Sequence, residues 1–219
     1  MSVWKAWRLI VPVLAGFVLY SWLTARVYSS QHTHTPKHMP THTHTPENEL
    51  PAGNFTATSL YQLSSTWITA TEQPLHLGDL QGKARVLVMH YTSCEYACPI
   101  LISILKNIEG ALEPAVRDSM GFVAVTFDPA HDTPAVLRAY STRMALDPAH
   151  WTLLRGAPED TLELAVLLGV KYRKDPHGGF AHSNLITVLN KHGDIVHRHI
   201  GLQQSVADTI AVIRRVAQE

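Results

Sequence analysis

The stretch Ala84-Arg-Val-Leu-Val-Met-His-Tyr91-Thr-Ser-Cys94-Glu-Tyr-Ala-Cys98-Pro99 contains both cysteines of the 219-residue chain. Its first half is rich in β-branched and apolar residues, which predicts a buried strand over Ala84–Tyr91. A helix is expected directly afterwards, opened by Pro99 and closed by Gly110. The cysteines are therefore predicted at a strand-to-helix junction, where the helix dipole and free backbone N–H groups favour a thiolate.

The Cys-x3-Cys spacing limits what the two sulfurs can do. If the helix begins near Cys94, both sulfurs lie on one face, a turn apart, and can form a disulfide or bind a soft metal ion. A purely structural bridge is disfavoured, because it would close a very short loop and stabilise little. A thioredoxin-type redox pair normally has two intervening residues, and structural zinc needs four ligands. Two thiolates and one imidazole suit cuprous ion, which accepts low coordination numbers.

The segments around this stretch predict an α/β fold of the thioredoxin type. A second buried strand is expected at Gly121–Phe127, and Thr133 and Pro134 open a helix that runs to about Leu146. Because the crossover between the first two strands is right-handed, these strands pair in parallel, and the cysteines lie at the carboxyl end of the sheet. The remaining predicted elements are a hairpin of Ser59–Leu63 with Trp67–Thr71, a strand at Trp151–Leu154, a helix at Pro158–Leu168, a hairpin of Leu185–Leu189 with Asp194–Ile200, and a helix at Ser205–Ala217.

The N-terminal part of the chain predicts a membrane anchor. Leu9–Ala25 contains no charged residue and follows Lys5 and Arg8, which favours a cytoplasmic N-terminus. An uncleaved signal anchor is preferred over a cleaved signal peptide because no convincing cleavage site follows. We therefore expect an anchor over residues 1–28, a tether over 29–55 and a thioredoxin-like copper-binding domain over 56–219. The anchor places that domain in the periplasm or an equivalent oxidising space, outside a cytoplasmic membrane crossed once.

The tether is expected to be disordered, because it has no hydrophobic periodicity and several prolines. It also contains imidazole and thioether groups, which suit copper. An auxiliary, weak metal-binding role is the alternative to a plain hydrated spacer. The residues concerned are His32, His34, His38, Met39, His42 and His44.

The charge balance bears on nucleic-acid binding, and the histidines of the domain provide candidates for the third metal ligand. The chain has 18 basic and 18 acidic side chains, so the charge balance gives no indication of nucleic-acid binding. His182 is the preferred third ligand, because Gly178-Gly-Phe-Ala-His-Ser-Asn184 is predicted as a Gly-rich loop entering a strand. His90 is better explained as a core or surface histidine of its strand. The other candidates are His131, His150, His177, His192, His197 and His199.

Three motifs resemble those of the Sco/SenC family in order and in type. They are Tyr-Thr-Ser-Cys-Glu-Tyr-Ala-Cys-Pro at 91–99, Asp-Pro-Ala-His-Asp-Thr-Pro at 128–134 and Phe-Ala-His-Ser at 180–183. The resemblance covers the chain from about Gln81 onward. It implies a membrane-tethered thioredoxin fold that assembles the copper centre of cytochrome c oxidase, with Cys94, Cys98 and His182 as copper ligands. It also implies that Asp128 and Asp132 cap the following helix and shape the site.

The sequence departs from the family pattern between the two cysteines, and the resemblance leaves two functions open. Family members commonly have Cys-Pro-Asp-x-Cys, whereas this chain has Cys-Glu-Tyr-Ala-Cys, which alters the loop and moves the acidic residue to Glu95. The first function is delivery of copper to the copper-bearing oxidase subunit or to another copper carrier. The alternative is a thiol-disulfide oxidoreductase that acts through Cys94 and Cys98 on a client's cysteines. A peroxidase is less favoured, since no peroxiredoxin-type motif precedes Cys94.

Overall fold

The computed structural model describes residues 55–176 and 178–219. Nine strands alternate with five α-helices in this part of the chain. The strands are β1 (Thr66–Thr69), β2 (Pro74–His76), β3 (Ala84–His90), β4 (Met120–Thr126), β5 (Trp151–Arg155), β6 (Tyr172–Lys174), β7 (Phe180–His182), β8 (Leu185–Leu189) and β9 (Ile195–Ile200). The helices are α1 (Ala97–Gly110), α2 (Pro114–Asp118), α3 (Pro134–Arg143), α4 (Pro158–Leu168) and α5 (Ala207–Val216).

Seven of the strands form one mixed sheet in the order β2-β1-β5-β4-β3-β8-β9. The central strands β3, β4 and β5 are parallel, and β8 and β9 continue the sheet in antiparallel fashion. Every residue of β4 is buried, because helices cover both faces. This pattern explains the continuous apolar composition of the two predicted central strands.

Two apolar cores lie on the two faces of the sheet. On one face, Val86 and Val88 of β3 pack with side chains of α1, α3 and α5. On the other face, Leu87 and Met89 pack with α4 and with the N-terminal segment that contains Trp67. Each fully buried aliphatic side chain of this kind contributes about 1.5–3 kcal/mol. Because the side chains of β3 point alternately to the two faces of the sheet, the helices on both faces pack against this one strand.

The parallel strands β3, β4 and β5 end at the same edge of the sheet, here named the carboxyl edge. The loop after β3 contains Cys94, and the loop after β4 contains Asp128 and Asp132. Strand β8 begins at this edge because it runs antiparallel to β3, with Ile186 opposite Val88. The residues before β8 are therefore brought to the same edge, and His182 is among them.

The structure corrects three of the expected elements. The predicted strand Ser59–Leu63 is wrong: the segment forms a 3-10 helix over Leu60–Gln62, because the Ser59 hydroxyl caps it by accepting the Tyr61 N–H at 3.1 Å. The N-terminal hairpin is instead formed by β1 and β2.

Helix α1 begins at Ala97, two residues before the expected start at Pro99. The cysteines lie at the predicted strand-to-helix junction, with Cys98 in the first turn of the helix and Cys94 in the preceding loop. The condition for both sulfurs to lie on one helical face, a helix that begins near Cys94, is therefore not met. Finally, His182 lies in a strand rather than in a loop, because β6 and β7 form a separate two-stranded sheet. Neither this hairpin nor α2 was expected.

The predicted anchor and tether, including the histidines from His32 to His44, lie outside the described residues. Within residues 55–176 and 178–219, none of the helices has the length and apolar character needed to cross a membrane.

Candidate metal centre

Three side chains converge at the carboxyl edge. The Nε2 atom of His182 lies 4.0 Å from Cys94 Sγ and 3.8 Å from Cys98 Sγ. All three ligand atoms lie within 4.8 Å of one another, and no other His, Cys, Asp or Glu group of the described residues meets this criterion. A loop, the first turn of α1 and the last residue of β7 each contribute one ligand atom.

The loop that carries Cys94 is fixed by a buried carboxylate. Asp132 is completely inaccessible to solvent and accepts the Thr92 N–H at 3.0 Å. It also accepts the hydroxyl groups of Thr92 and Thr126. The Arg143 guanidinium adds a donor to the Thr92 carbonyl oxygen at 3.3 Å. Because charge-assisted hydrogen bonds are directional and strong, this network determines where the Cys94 loop leaves β3.

His182 is held differently, by aromatic packing. Its ring contacts the rings of Tyr91 and Phe127, with centroids 5.9 and 5.2 Å away. Phe180 and Tyr172 of the same hairpin also pack on Phe127. The Nδ1 atom of His182 lies 3.1 Å from the Ser183 carbonyl oxygen. A carbonyl oxygen only accepts, so Nδ1 donates its proton there. Nε2 then faces the two sulfurs: in the neutral ring it presents a lone pair for a metal ion, and in the protonated ring it donates N–H to them.

The two thiols have opposite electrostatic surroundings. Partial burial acts to raise the pKa of Cys94, but hydrogen bonds from the Cys98 N–H, the His182 ring and the Tyr96 N–H outweigh it. Together they lower the pKa to about 7. The Cys98 N–H donates to Cys94 Sγ at 3.3 Å. Burial raises the pKa of Cys98, and negative charge on Cys94 and Asp132 raises it further. Cys94 is thus the readily ionised and more accessible thiol.

His90 lies in the core and not in the cluster. Its side chain is completely inaccessible, and neither ring nitrogen has a hydrogen-bond partner. Burial, followed by positive charge on His182, lowers the pKa of His90 to about 4. Its ring lies 5.1 Å from that of Tyr140, whose buried hydroxyl also lacks a partner. The neutral form of His90 is therefore the one present at physiological pH.

The other histidine candidates in the described residues lie apart from the two sulfurs. His131 pairs with Asp128 at 2.9 Å, and His150 lies 3.2 Å from Glu109. His197 Nε2 lies 3.0 Å from the Thr209 hydroxyl. His199 is buried, and His192 is exposed in the turn after β8. His177 is outside the described residues.

Residue-based reasoning missed two parts of this centre. The resemblance predicts that Asp128 and Asp132 cap the following helix, which is wrong, because the Thr133 hydroxyl caps α3 by accepting the Val136 N–H at 3.4 Å. Asp132 shapes the site instead through its hydrogen bonds to Thr92 and Thr126, which the sequence does not predict. The only sequence signal was a carboxylate six residues after a buried threonine. The aromatic support of His182 was also missed, although Tyr172 and Phe180 are aromatic residues in a Gly-rich segment.

The donor set determines which metal ion the cluster fits. Two soft sulfur ligands and one imidazole suit cuprous copper in three-fold coordination. A structural zinc site would need a fourth protein ligand. The centre also suits thiol chemistry, because Cys94 and Cys98 are both free thiols.

Comparison with known proteins identifies the family of the chain. The family model described as SCO1/SenC matches residues 57–218. A Stutzerimonas stutzeri protein named for copper binding is 26% identical over 132 residues, which are 58% of this chain and 63% of that protein's length.

Many solved structures share the fold, and two Sco proteins are among them. Bradyrhizobium japonicum ScoI with copper bound has a TM-score of 0.58 and 21% identity, over 69% of this chain and 96% of its own. BsSco, described as a member of the Sco family of cytochrome c oxidase assembly proteins with a disulfide switch, has a TM-score of 0.61 and 19% identity, over 70% of this chain and 91% of its own. The fold is thus the thioredoxin-like fold of Sco proteins, and the chain belongs to the SCO1/SenC family.

Proposed function

We propose that this protein binds one cuprous ion through Cys94, Cys98 and His182 and delivers it to the copper centre of cytochrome c oxidase during assembly. The single observation that carries the proposal is the approach of His182 Nε2 to both sulfurs, at 4.0 and 3.8 Å. Membership of the SCO1/SenC family supports the choice of copper. The acceptor is the copper-bearing oxidase subunit or another copper carrier.

The exposure of the three ligands favours delivery over permanent retention. Cys98 is completely inaccessible, whereas Cys94 and His182 are partly exposed. Donor atoms of a partner can reach the ion only from the side of Cys94 and His182. We therefore expect these two ligands to be exchanged first and Cys98 to be released last.

The alternative function is thiol-disulfide exchange through Cys94 and Cys98. The pKa of about 7 at Cys94 supports it, because a thiolate is the attacking species. Copper binding and disulfide formation use the same sulfurs, so they exclude each other. His182 discriminates between the two functions, since electron transfer needs no imidazole and copper does.

We further propose that residues 1–28 anchor the protein in the cytoplasmic membrane and that residues 56–219 face the periplasm or an equivalent space. Lys5 and Arg8 before the uncharged run Leu9–Ala25 support this orientation. The histidines of the tether, residues 29–55, serve as an auxiliary and weaker copper-binding segment in this proposal.

Copper quantification tests the assignment of the ligands. The reduced protein should hold about one tightly bound copper per chain when it is loaded anaerobically. Cys94→Ala and Cys98→Ala should abolish tight binding, and His182→Ala should weaken it by at least an order of magnitude. His192→Ala is the matched control, because His192 is exposed and remote from the sulfurs. Undiminished copper affinity in His182→Ala would refute the three-ligand site and favour the redox function.

A further inference from the structure

The hairpin that carries His182 has a concentration of positive charge. Lys171 precedes β6, and Arg173 and Lys174 belong to it; all three are exposed. None of them forms an ion pair in the part of the chain that the structure describes. Because basic and acidic residues are equal in number over the whole chain, this cluster is a local asymmetry. We name Lys171, Arg173 and Lys174 the basic hairpin.

The basic hairpin is directly next to the metal centre. In the β6–β7 ladder, Tyr172 is opposite His182 and Arg173 is opposite Ala181. A shallow recess of about 280 Å³ is lined by Lys171, Arg173 and His182, together with Tyr172, Ala181 and Ser183. Because side chains alternate along a strand, Lys171 and Arg173 lie on the outer face of the hairpin, whose inner face carries Tyr172 and His182. A group that enters this recess therefore meets two cations directly behind the strand that holds the imidazole ligand.

The acidic groups nearby offset only part of this positive charge. Asp175, at the hairpin turn, is one carboxylate against three cations and accepts the Gly179 N–H at 3.1 Å, and Asp128 and Asp132 are buried. Glu95 is exposed, but it belongs to the cysteine loop. The rim of the metal centre thus has positive charge on the hairpin side and one negative charge on the cysteine side. This polarity favours one orientation of a charged partner over the reverse.

We propose that the basic hairpin is the docking surface for an acidic protein partner, whose carboxylates lie on Lys171, Arg173 and Lys174 while copper is exchanged. This inference rests on the proposed function and adds the chemistry of the partner. A protein is favoured over an anionic bilayer because a flat membrane on the hairpin would cover His182. Electrostatic complementarity of this kind accelerates association by about 10- to 1,000-fold.

Two synthetic peptides provide the test. Each peptide contains one Cys-x3-Cys motif. Three glutamates flank the motif in one peptide and three lysines in the other. Stopped-flow spectroscopy follows the transfer of copper from the loaded full-length protein to the peptide. The glutamate peptide should react about tenfold faster at low salt. The difference should shrink near 1 M salt, where the Debye length falls to about 3 Å. The triple variant Lys171→Glu, Arg173→Glu and Lys174→Glu should reverse the preference.

The matched control is a second triple variant with the same change in net charge, placed at the end of the sheet opposite the carboxyl edge. Lys83 and Lys191 meet there, since the Gly82 N–H donates to the Lys191 carbonyl oxygen at 3.0 Å. Lys191 Nζ also donates to the Glu219 carbonyl oxygen, just beyond Arg215 at the end of α5. Lys83→Glu, Lys191→Glu and Arg215→Glu together should leave the peptide preference unchanged. Equal wild-type rates for both peptides, or the same reversal in this control, would overturn the proposal.

A copper-free assay separates failure of the docking surface from failure of the copper function. The Cys94 thiolate attacks a sulfur of the oxidised peptide, forms a mixed disulfide and releases the peptide's other sulfur as a thiolate. The glutamate peptide should again be preferred, whether or not the protein delivers copper. If the hairpin variant instead loses only its binding to phosphatidylserine vesicles and keeps its peptide rates, the surface faces a membrane and the proposal is wrong.

Discussion

The two halves of the metal centre are held to the fold by different forces. On the cysteine side, Asp132 accepts three hydrogen bonds from Thr92 and Thr126 without any contact with solvent. On the histidine side, the β6–β7 hairpin packs on Tyr91 and Phe127 through aromatic rings, and Phe180 N–H donates to the Tyr91 hydroxyl at 3.4 Å. One half is attached by directional bonds to a charge and the other mainly by apolar contact.

This difference has a consequence for ligand exchange. Charge-assisted hydrogen bonds tolerate little displacement, whereas ring packing keeps most of its energy when one element slides on another. The sulfurs should therefore keep their positions when the ion leaves, and the imidazole should move more easily. Delivery of the ion would use a ligand set of this kind, in which Cys98 still holds the ion while the exposed ligands are replaced.

Removal of the carboxylate on the cysteine side should have the largest effect. Asp132→Ala leaves the Thr92 N–H, the half-buried Thr92 hydroxyl and the buried Thr126 hydroxyl without this acceptor, which should lower the free energy of unfolding by about 3–5 kcal/mol. Urea denaturation measures this change. Asp208→Ala removes an exposed carboxylate in the first turn of α5 and should cost less than about 1 kcal/mol. A similar small loss in Asp132→Ala would show that the network does not hold the cysteine loop.

Removal of an aromatic ring on the histidine side should lower the free energy of unfolding less than Asp132→Ala does. Its main effect should be on copper affinity. Phe180→Ala deletes aromatic contacts with Tyr91 and Phe127 in a half-buried position, at a cost of about 1–2 kcal/mol. Copper affinity should fall about tenfold because His182 loses its support, while Cys94 and Cys98 should still form their disulfide. Titration against a cuprous chelator and mass spectrometry of the oxidised protein measure the two effects. Wild-type copper affinity would contradict the proposed role of the aromatic packing.

Alkylation kinetics should distinguish the two thiols within the cysteine side. Because the pKa of Cys94 is about 7, its reaction with iodoacetamide should accelerate about tenfold per pH unit below pH 7 and level off above it. Cys98 is inaccessible and its pKa is raised, so it should react at least tenfold more slowly at neutral pH. Peptide mapping after short exposures assigns the label. Equal labelling of both cysteines at pH 7 would show that their surroundings are alike.

The sequence predicted the cysteine side better than the histidine side, for physical reasons. The strand at Ala84–Tyr91 is a long apolar run, and such runs identify buried parallel strands. Strands β6 and β7 have three residues each, which is too short to show a periodicity. Ser59–Leu63 is also too short for its periodicity to distinguish a strand from the 3-10 helix that it forms. The unpaired nitrogens of His90 could not be predicted either, because they depend on which helix covers the strand.

The tether provides the last and smallest contrast, between imidazoles outside the described domain and the single imidazole beside the sulfurs. If the tether is disordered, as its sequence predicts, its expected span is roughly 5–6 Å times the square root of its residue number, or about 20 Å for the residues from Gln31 to Pro46. Its histidines, which include the closely spaced pairs His32 with His34 and His42 with His44, lack a thiolate partner. They should bind cupric ion weakly and release it as imidazole protonates near its ordinary pKa of about 6.5.

A shortened chain that begins at Glu47 should keep its stability and its tightest copper site. Compared with a chain that begins at Ser29, it should bind less total copper and load a few-fold more slowly when copper is scarce. Equal loading rates under limiting copper would show that this segment acts only as a spacer.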